Sequence, residues 1–506
     1  MRRAKRFILV SIAFLLLLTS AALAKPVALT ILHTNDTHGH LMPFSYPGIV
    51  QAGSDLAGLE IRSNIGGIAR RATLVRRIRT ELRGRDVPVW LVDAGDFSDG
   101  TPFSTEYHGE ADVAAMNAAG YDFATLGNHD FNYRLAQTKK LLSLARYPIL
   151  CANAAEAATG KLLVPAYTVQ SVGPIKVALF GLITAETATY PAAKEGVTIT
   201  DEVETARRMV AALRSQADII ITISHSGEEV DRRIADAVPE IDVIIGGHSH
   251  SRLPVGEFTW RSEDLKVNDV NGTVIVQDHQ WGGELGRLDL LFVQDDKSVW
   301  HVDRYRARLI PVTADIPADE TVAAVVDRFW KPIASRYGEV VGQAAADFSS
   351  RCDDQADYNL VTDAIRATFG TDIVLENIGG VRSPLVKGNI TRGDLVAMDP
   401  FNNTIVTFKI NGGTLRKLLK EQTPAVSGVR YRVERGEVTE ASCAGLPLED
   451  DRTFTGAANS FVAGSWLKDL EVKDTGQRRL DVLIDYIRKK GMITPMYDGR
   501  RVVIER

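Results

Sequence analysis

Seven side chains in the first 250 residues form a chemically coherent set: Asp36, His38, Asp96, Asn128, His225, His248 and His250. They are oxygen and imidazole donors with no thiolate among them, a combination that suits Zn, Mn or Fe(II) and argues against a structural zinc cage. Seven donors are too many for one ion and about right for two. Two ions roughly 3.5 to 4 Å apart share a ligand, and a carboxylate is the natural bridge. Taken singly, each residue is as easily a capped strand end or a satisfied loop side chain. The set as a whole is not.

The donors sit just past short apolar runs. Thr30-Ile31-Leu32 leads into Asn35-Asp36-Thr37-His38, Val89-Trp90-Leu91-Val92 into Asp93-Ala94-Gly95-Asp96, and Phe123, Ala124 and Leu126 into Gly127-Asn128-His129-Asp130. Ile219 to Ile223 leads into His225, and Val243-Ile244-Ile245 into Gly246-Gly247-His248-Ser249-His250. Such runs, separated by helical patterns, read as buried strands of an α/β layered fold. Side chains past their ends converge on one edge, where these folds place ligands.

These blocks, in this order, resemble the signature of the calcineurin-like metallophosphoesterases. The Asn35-Asp36-Thr37-His38 opening and the C-terminal half resemble, more narrowly, the secreted 5'-nucleotidase and UDP-sugar hydrolase family. The resemblance covers nearly the whole mature chain. It implies an N-terminal four-layer α/β sandwich at 25–312, a helical connector at 313–337 and a smaller α+β substrate-binding domain at 338–506. It also implies two divalent ions, one on Asp36, His38, Asp96 and His250, the other on Asp96, Asn128, His225 and His248, with Asp96 as the bridge. A water activated between the ions would attack phosphorus in line. His129 would stabilise charge on the phosphoryl oxygens or protonate the leaving group. Where the family carries an Asp to orient that histidine, this chain has Asn132. An Asn accepts from an imidazole nitrogen but does not stabilise the imidazolium as a carboxylate would.

Of the remaining candidates, Asp93 fits a structural partner of its loop. All ten histidines lie at or before His301, so the second half donates no imidazole and the metal site belongs to the first domain. His33, His40, His108, His279 and His301 have no clear liganding role, and His40 reads as a solvated loop residue.

Val274 to Gln277 and Leu285 to Phe292 are two further strands. After Pro311, Pro317-Ala318-Asp319-Glu320 opens a helix with Val322, Val326 and Phe329 on one face, which Pro332 should kink or end. Leu360, Ala364, Ile365 and Phe369 mark a helix, followed by a strand, Thr371 to Leu375, that runs into Glu376-Asn377-Ile378-Gly379-Gly380-Val381-Arg382. The two glycines permit a tight turn that leaves Asn377 and Arg382 facing a ligand, or a plain turn with a solvated arginine. The family carries Asn-x-Gly-Gly-x-Arg here, which implies an Arg on phosphate or carboxylate and an Asn near the nucleoside. Arg351 falls, more loosely, where the family often has another anion-binding arginine. Asp399-Pro400-Phe401-Asn402-Asn403 resembles the turn whose Phe forms one wall of a base-stacking slot, and Phe461 is the expected second wall; either is otherwise a core phenylalanine. The family usually continues with Gly-Gly-Asp, whose Asp holds the ribose hydroxyls, whereas this chain reads Gly464-Ser465-Trp466-Leu467.

Arg2-Arg3-Ala4-Lys5-Arg6, an apolar stretch from Phe7 to about Leu18, and Ala22-Leu23-Ala24 describe a cleaved signal peptide over 1–24, without a twin-arginine pattern. No Cys at the cleavage site takes a lipid, and Arg501 to Arg506 is no hydrophobic anchor, so a periplasmic or secreted protein with no stable membrane anchor is expected. Loss of Arg2, Arg3, Lys5 and Arg6 takes the net charge from −5 to −9. That disfavours a nucleic-acid polymer as partner. An anionic small molecule would be captured locally, by metals and a few arginines. Cys151 reads as a small apolar residue at a strand end, and Cys352 and Cys443 as a pair that oxidising surroundings would permit to bridge or to stay apart. Three functions follow: a 5'-nucleotidase or related phosphomonoesterase, a 2',3'-cyclic-nucleotide or UDP-sugar phosphodiesterase using the same site, and a non-catalytic binding protein. The last has no need of His129.

Overall fold

The computed structural model describes residues 25–46, 62–254, 272–348, 350–351 and 354–504. The expected signal peptide and Cys352 lie outside these residues. The apolar runs form two sheets. In the first, Val27–Thr34 lies parallel to Val89–Asp93, followed by Phe123–Thr125 and Ile149–Leu150; on its other side Val27–Thr34 pairs antiparallel with Glu284–Gln294, then Trp300–Pro311. The second runs Val274–Val276, Val243–Gly246, Ile219–His225, Ile175–Ile183 and Tyr167–Val172, parallel except for the last hairpin.

Side chains alternate across a strand, so one run serves two cores. Leu29 and Ile31 pack between the sheets with Leu179, Ile221, Ile223 and Ile245. Leu32 and Leu91 face outward, onto Ile68 and Val75 of the helix Ile68–Arg83. On the far side Ile220 and Ile244 meet the helices Glu202–Leu213 and Glu228–Ala237. Each fully buried Val, Leu or Ile contributes about 1.5–3 kcal/mol relative to exposure, which favours runs apolar on both faces. The order helix, sheet, sheet, helix is the expected four-layer sandwich.

The helix Glu320–Trp330 starts at Asp319, whose Oδ1 accepts from the Val322 N–H at 3.0 Å, and ends two residues before Pro332. Val322 and Val326 are buried against the first sandwich. Beyond it lies a five-stranded mixed sheet in the order Ala425–Ser427, Ile373–Glu376, Thr453–Asn459, Thr404–Asn411 and Val472–Arg478. Ala356–Phe369 and Arg479–Lys490 cover one face; Gly412–Gln422 and a second sheet containing Val429–Glu434 cover the other. This is the smaller α+β unit. Among the described residues no helix is long and apolar enough to cross a membrane. Cys151 is buried and its thiol is pushed up to about 12 by burial, which makes it inert. Cys443 is a buried free thiol.

Candidate active site

Asp36, His38, Asp96, His248 and His250 share an uncommon backbone conformation, with φ of 49°, 45°, 55°, 76° and 55°. This left-handed region is sparse for residues with a Cβ, though Asp and His tolerate it best, and it costs on the order of 1–3 kcal/mol per residue. Main-chain hydrogen bonds hold it. Asp36 N donates to Gly95 O and His38 N to Asp96 O, each at 3.0 Å, zipping two strand ends together, and Trp281 N donates to Asp36 O at 2.8 Å. Gly127 is required by close approach, since a Cβ there would meet Asp96 Oδ1 at 2.1 Å.

Six of the seven candidate ligands point donor atoms at one another. Asp96 Oδ2 is 3.1 Å from His225 Nε2 and 3.8 Å from His38 Nε2. Asp36 Oδ1 is 3.3 Å from His250 Nε2 and 3.8 Å from His38 Nε2, and Asn128 Oδ1 is 3.0 Å from His225 Nε2. His248 stands beside them, its ring 5.2 Å from that of His225, but its Nε2 is directed at Glu186 Oε2, 3.6 Å away.

The tautomers decide what these contacts mean. His38 Nδ1 donates to Asp99 O at 2.9 Å and His225 Nδ1 to Ala94 O at 2.7 Å, so both Nε2 atoms face the cluster. There His38 Nε2 meets Asp36 Oδ1, Asp96 Oδ2 and, at 3.2 Å, His250 Nε2. Burial lowers the His38 pKa well below its ordinary value against the opposing pull of Asp96, with Arg382, His129 and His250 adding to the lowering, and keeps that ring neutral. Asp36 Oδ2 accepts from Asn35 Nδ2 and from His248 N, while its buried Oδ1 has no hydrogen-bond partner. Acceptors that face acceptors in a buried space require positive charge between them. Burial opposes charge on His225, yet Asp96 and Asp36 outweigh it and push its pKa up to about 10. Asp36 with His38 and His250, and Asp36 with Asp96 and His225, are two groups whose ligand atoms lie within 4.8 Å of one another. The residues therefore fit divalent cations.

His129 is buried beside this cluster, its N–H donating to Asp96 Oδ1 at 2.8 Å and its ring edge-on to His38 and Tyr190. The expectation that its imidazole lacks a carboxylate partner is wrong. Asp99 Oδ2 lies 3.0 Å from His129 Nδ1, and the Asn132 amide donates to the same oxygen. Asn132 thus touches both partners, its Nδ2 lying 2.9 Å from His129 Nδ1 as well as donating to Asp99. His40 is a second correction: far from solvated, it is buried, stacks on Trp281 at 4.4 Å, and has its pKa lowered to about 3 by burial. Asp93 accepts from Thr34 Oγ1 and Gly95 N, as a loop partner should, and burial pushes its carboxyl up to about 7.

From the second domain Arg382 reaches across, its Nη2 3.3 Å from His38 Nε2 and its guanidinium carbon 5.9 Å from the Phe401 ring centre. Asn377 Oδ1 accepts from Asn459 Nδ2 at 2.9 Å. Phe461 is 57% exposed, which removes the alternative that it is a core residue, whereas Phe401 is half-buried. Leu467, in the segment that replaces Gly-Gly-Asp, is buried. Arg351 lies in the short strand Ser350–Arg351, and its side chain is outside the described residues.

Sequence reading missed Asp99 and Tyr190. Tyr190 accepts from Asn128 Nδ2 at 2.7 Å, which turns Asn128 Oδ1 toward His225. The only hint was that Asp99 lies three residues past Asp96; Tyr190 gave none.

A family model for calcineurin-like phosphoesterases matches residues 29–252, and one for the 5'-nucleotidase C-terminal domain matches residues 340–468. The chain therefore carries a domain of the calcineurin-like phosphoesterase class. With its second domain it belongs to the two-domain 5'-nucleotidase family. It is 29% identical to a 5'-nucleotidase of Diplobatis ommata over 95% of this chain and 91% of that one. It is 25% identical to the trifunctional nucleotide phosphoesterase protein YfkN of Bacillus subtilis over 93% of this chain, and there spans only 34% of the relative's length. A 5'-nucleotidase precursor from Thermus thermophilus superimposes with a TM-score of 0.81 at 26% identity, covering 95% of this chain and all of that one.

Proposed function

We propose that the protein is an exported, dinuclear-metal phosphoesterase that hydrolyses nucleotide 5'-phosphomonoesters, working in the periplasm or outside the cell. The observation that carries this reading is Arg382 of the second domain facing His38, at a cluster where unprotonated nitrogens meet carboxylates. Asp36, His38, Asp96 and His250 would hold one divalent ion (Zn, Mn or Fe) and Asp96, Asn128, His225 and His248 the other. Bound there, the ions supply an acidified water and a counter-charge for the phosphoryl group. Arg382 binds non-bridging phosphoryl oxygens, which its forked donors suit. His129, its Nδ1–H held by Asp99, presents Nε2 to the developing charge or to the leaving oxygen. Asn377, Phe401 and Phe461, with Arg351 as a looser candidate, contact the rest of the substrate. The second domain begins near residue 338, after a connector at 313–337.

The test is a panel of a 5'-mononucleotide, a 2',3'-cyclic nucleotide and a UDP-sugar, assayed with several divalent metals on wild type and Asp96→Asn. The mononucleotide should be turned over fastest, and Asp96→Asn should lose both activity and bound metal with the fold retained. A preference for the cyclic nucleotide or the UDP-sugar would make it a phosphodiesterase using the same site. Normal activity in Asp96→Asn would remove the shared-ligand assignment.

A further inference from the structure

The helix Arg479–Lys490 opens with a basic residue that never reaches solvent: Arg479 is 1% exposed. Its Nε and Nη2 grip Asp399 bidentately at 2.8 and 2.6 Å. Nη1 meets Glu376 Oε1 at 2.6 Å, and Nη2 also donates to the Gly380 carbonyl at 2.6 Å. Each partner belongs to a turn that carries a substrate-facing candidate. Glu376 precedes Asn377, Gly380 is two residues before Arg382, and Asp399 is two before Phe401. Asn459 adds the remaining turn: its Nδ2 donates to Glu376 Oε1 and Asn377 Oδ1, while its Oδ1 caps the helix bearing Phe461 through Val462 N at 2.8 Å. The packing leaves no slack, since a Cβ on Gly380 would meet Glu376 Oε1 at 2.7 Å.

Stability alone is a weak reason for such a cluster. One guanidinium faces two carboxylates away from water, and replacing buried ionic triads by apolar side chains is often neutral or stabilising. Glu376 Oε2 has no hydrogen-bond partner, and burial raises that carboxyl's pKa. What the arrangement supplies is geometry: a planar, forked cation joins two turns in fixed relative positions, and Asn459 ties the third to Glu376.

We propose that Arg479 is a positioning residue that sets the placement of the phosphate-facing Arg382 relative to the aromatic side chains Phe401 and Phe461, and so selects for phosphate esters that carry an aromatic ring able to meet both. The assignment rests on the functional reading above. It is tested with Arg479→Lys, which keeps the charge and loses the fork, in the full-length, metal-loaded enzyme. A 5'-mononucleotide is compared with ribose 5-phosphate, which offers Arg382 the same phosphate but carries no aromatic ring to set on Phe401 or Phe461. The nucleotide KM should rise roughly tenfold with kcat changed less than about threefold, so that its kcat/KM relative to ribose 5-phosphate falls roughly tenfold. Asp399→Asn, which leaves the Glu376 contact in place, should move the same ratio in the same direction and serves if Arg479→Lys does not fold. An unchanged ratio in a folded variant, or an equal loss on both substrates, overturns the proposal. Wild type that hydrolyses ribose 5-phosphate but no nucleotide overturns the functional reading itself, an outcome visible before any variant is made.

Discussion

Asp99 Oδ2 sits 3.0 Å from His129 Nδ1 and also accepts from the Asn132 amide, so one carboxylate oxygen fixes both the tautomer and the orientation of the histidine. Asp99→Asn should lower kcat by about 10²–10³-fold with KM and bound metal unchanged, the scale on which positioned proton-transfer groups act. Asn132→Asp should also lower kcat, because it removes a donor and sets a second carboxylate against Asp99. Steady-state kinetics decide; wild-type kcat in Asp99→Asn would remove the orienting role.

The Tyr190 hydroxyl sets which end of the Asn128 amide faces His225. In Tyr190→Phe the amide loses its acceptor and is free to turn its nitrogen inward. Metal affinity should drop roughly tenfold, within the range seen when a ligand's hydrogen-bond partner is lost. Titration of the apoprotein with Mn or Zn, followed by calorimetry, measures this directly.

How much of this was readable beforehand depends on the distance over which each fact is decided. The strand ends at Thr34, Asp93, Thr125, His225 and Gly246 announce themselves because an apolar run and the polar residues after it are contiguous. The helix stop before Pro332 is equally local. Asp99, Tyr190 and Arg479 are not: their partners His129, Asn128 and Asp399 lie 30, 62 and 80 residues away. Nothing near Arg479 in sequence distinguishes it from a surface arginine at a helix start. His40 misled for the same reason, since the Trp281 ring that covers it comes from a distant loop.

Phe461 is mostly exposed, so Phe461→Ala should leave the melting temperature nearly unchanged. Base stacking on one aromatic is worth about 1–3 kcal/mol. The KM for a mononucleotide should therefore rise roughly tenfold, with little change for ribose 5-phosphate, which has no aromatic ring to stack. Equal KM values for the nucleotide in the two proteins would mean the ring does not touch the base.

Asp357, 5% exposed at the start of the helix Ala356–Phe369, has its carboxyl pushed up to about 6 by burial. The folded state then holds this proton more tightly than the unfolded chain, whose carboxyl titrates near 4. Stability from this group falls as pH rises from about 4 to about 6, and the loss is complete above that. Asp357→Asn, which keeps the acceptor for Tyr358 N, should be more stable than wild type by roughly 1–3 kcal/mol at pH 7.5 and indistinguishable at pH 4. Urea melts at the two pH values give the comparison.

Chelation should abolish turnover while the far-ultraviolet circular dichroism stays the same, with a melting temperature lowered only by the lost binding energy. Collapse of the dichroism would show that the ions, not the sheets, hold the first domain.

The left-handed turns at Asp36, His38, His248 and His250 carry a consequence for maturation. His38 and His250 are 212 residues apart and follow strands of different sheets, so their Nε2 atoms come to 3.2 Å only when the two sheets pack together. Gathering such remote donors before collapse carries a loop-closure cost that the packed sheets have already met. Metal loading should therefore follow closure of the two sheets, in whichever compartment that takes place.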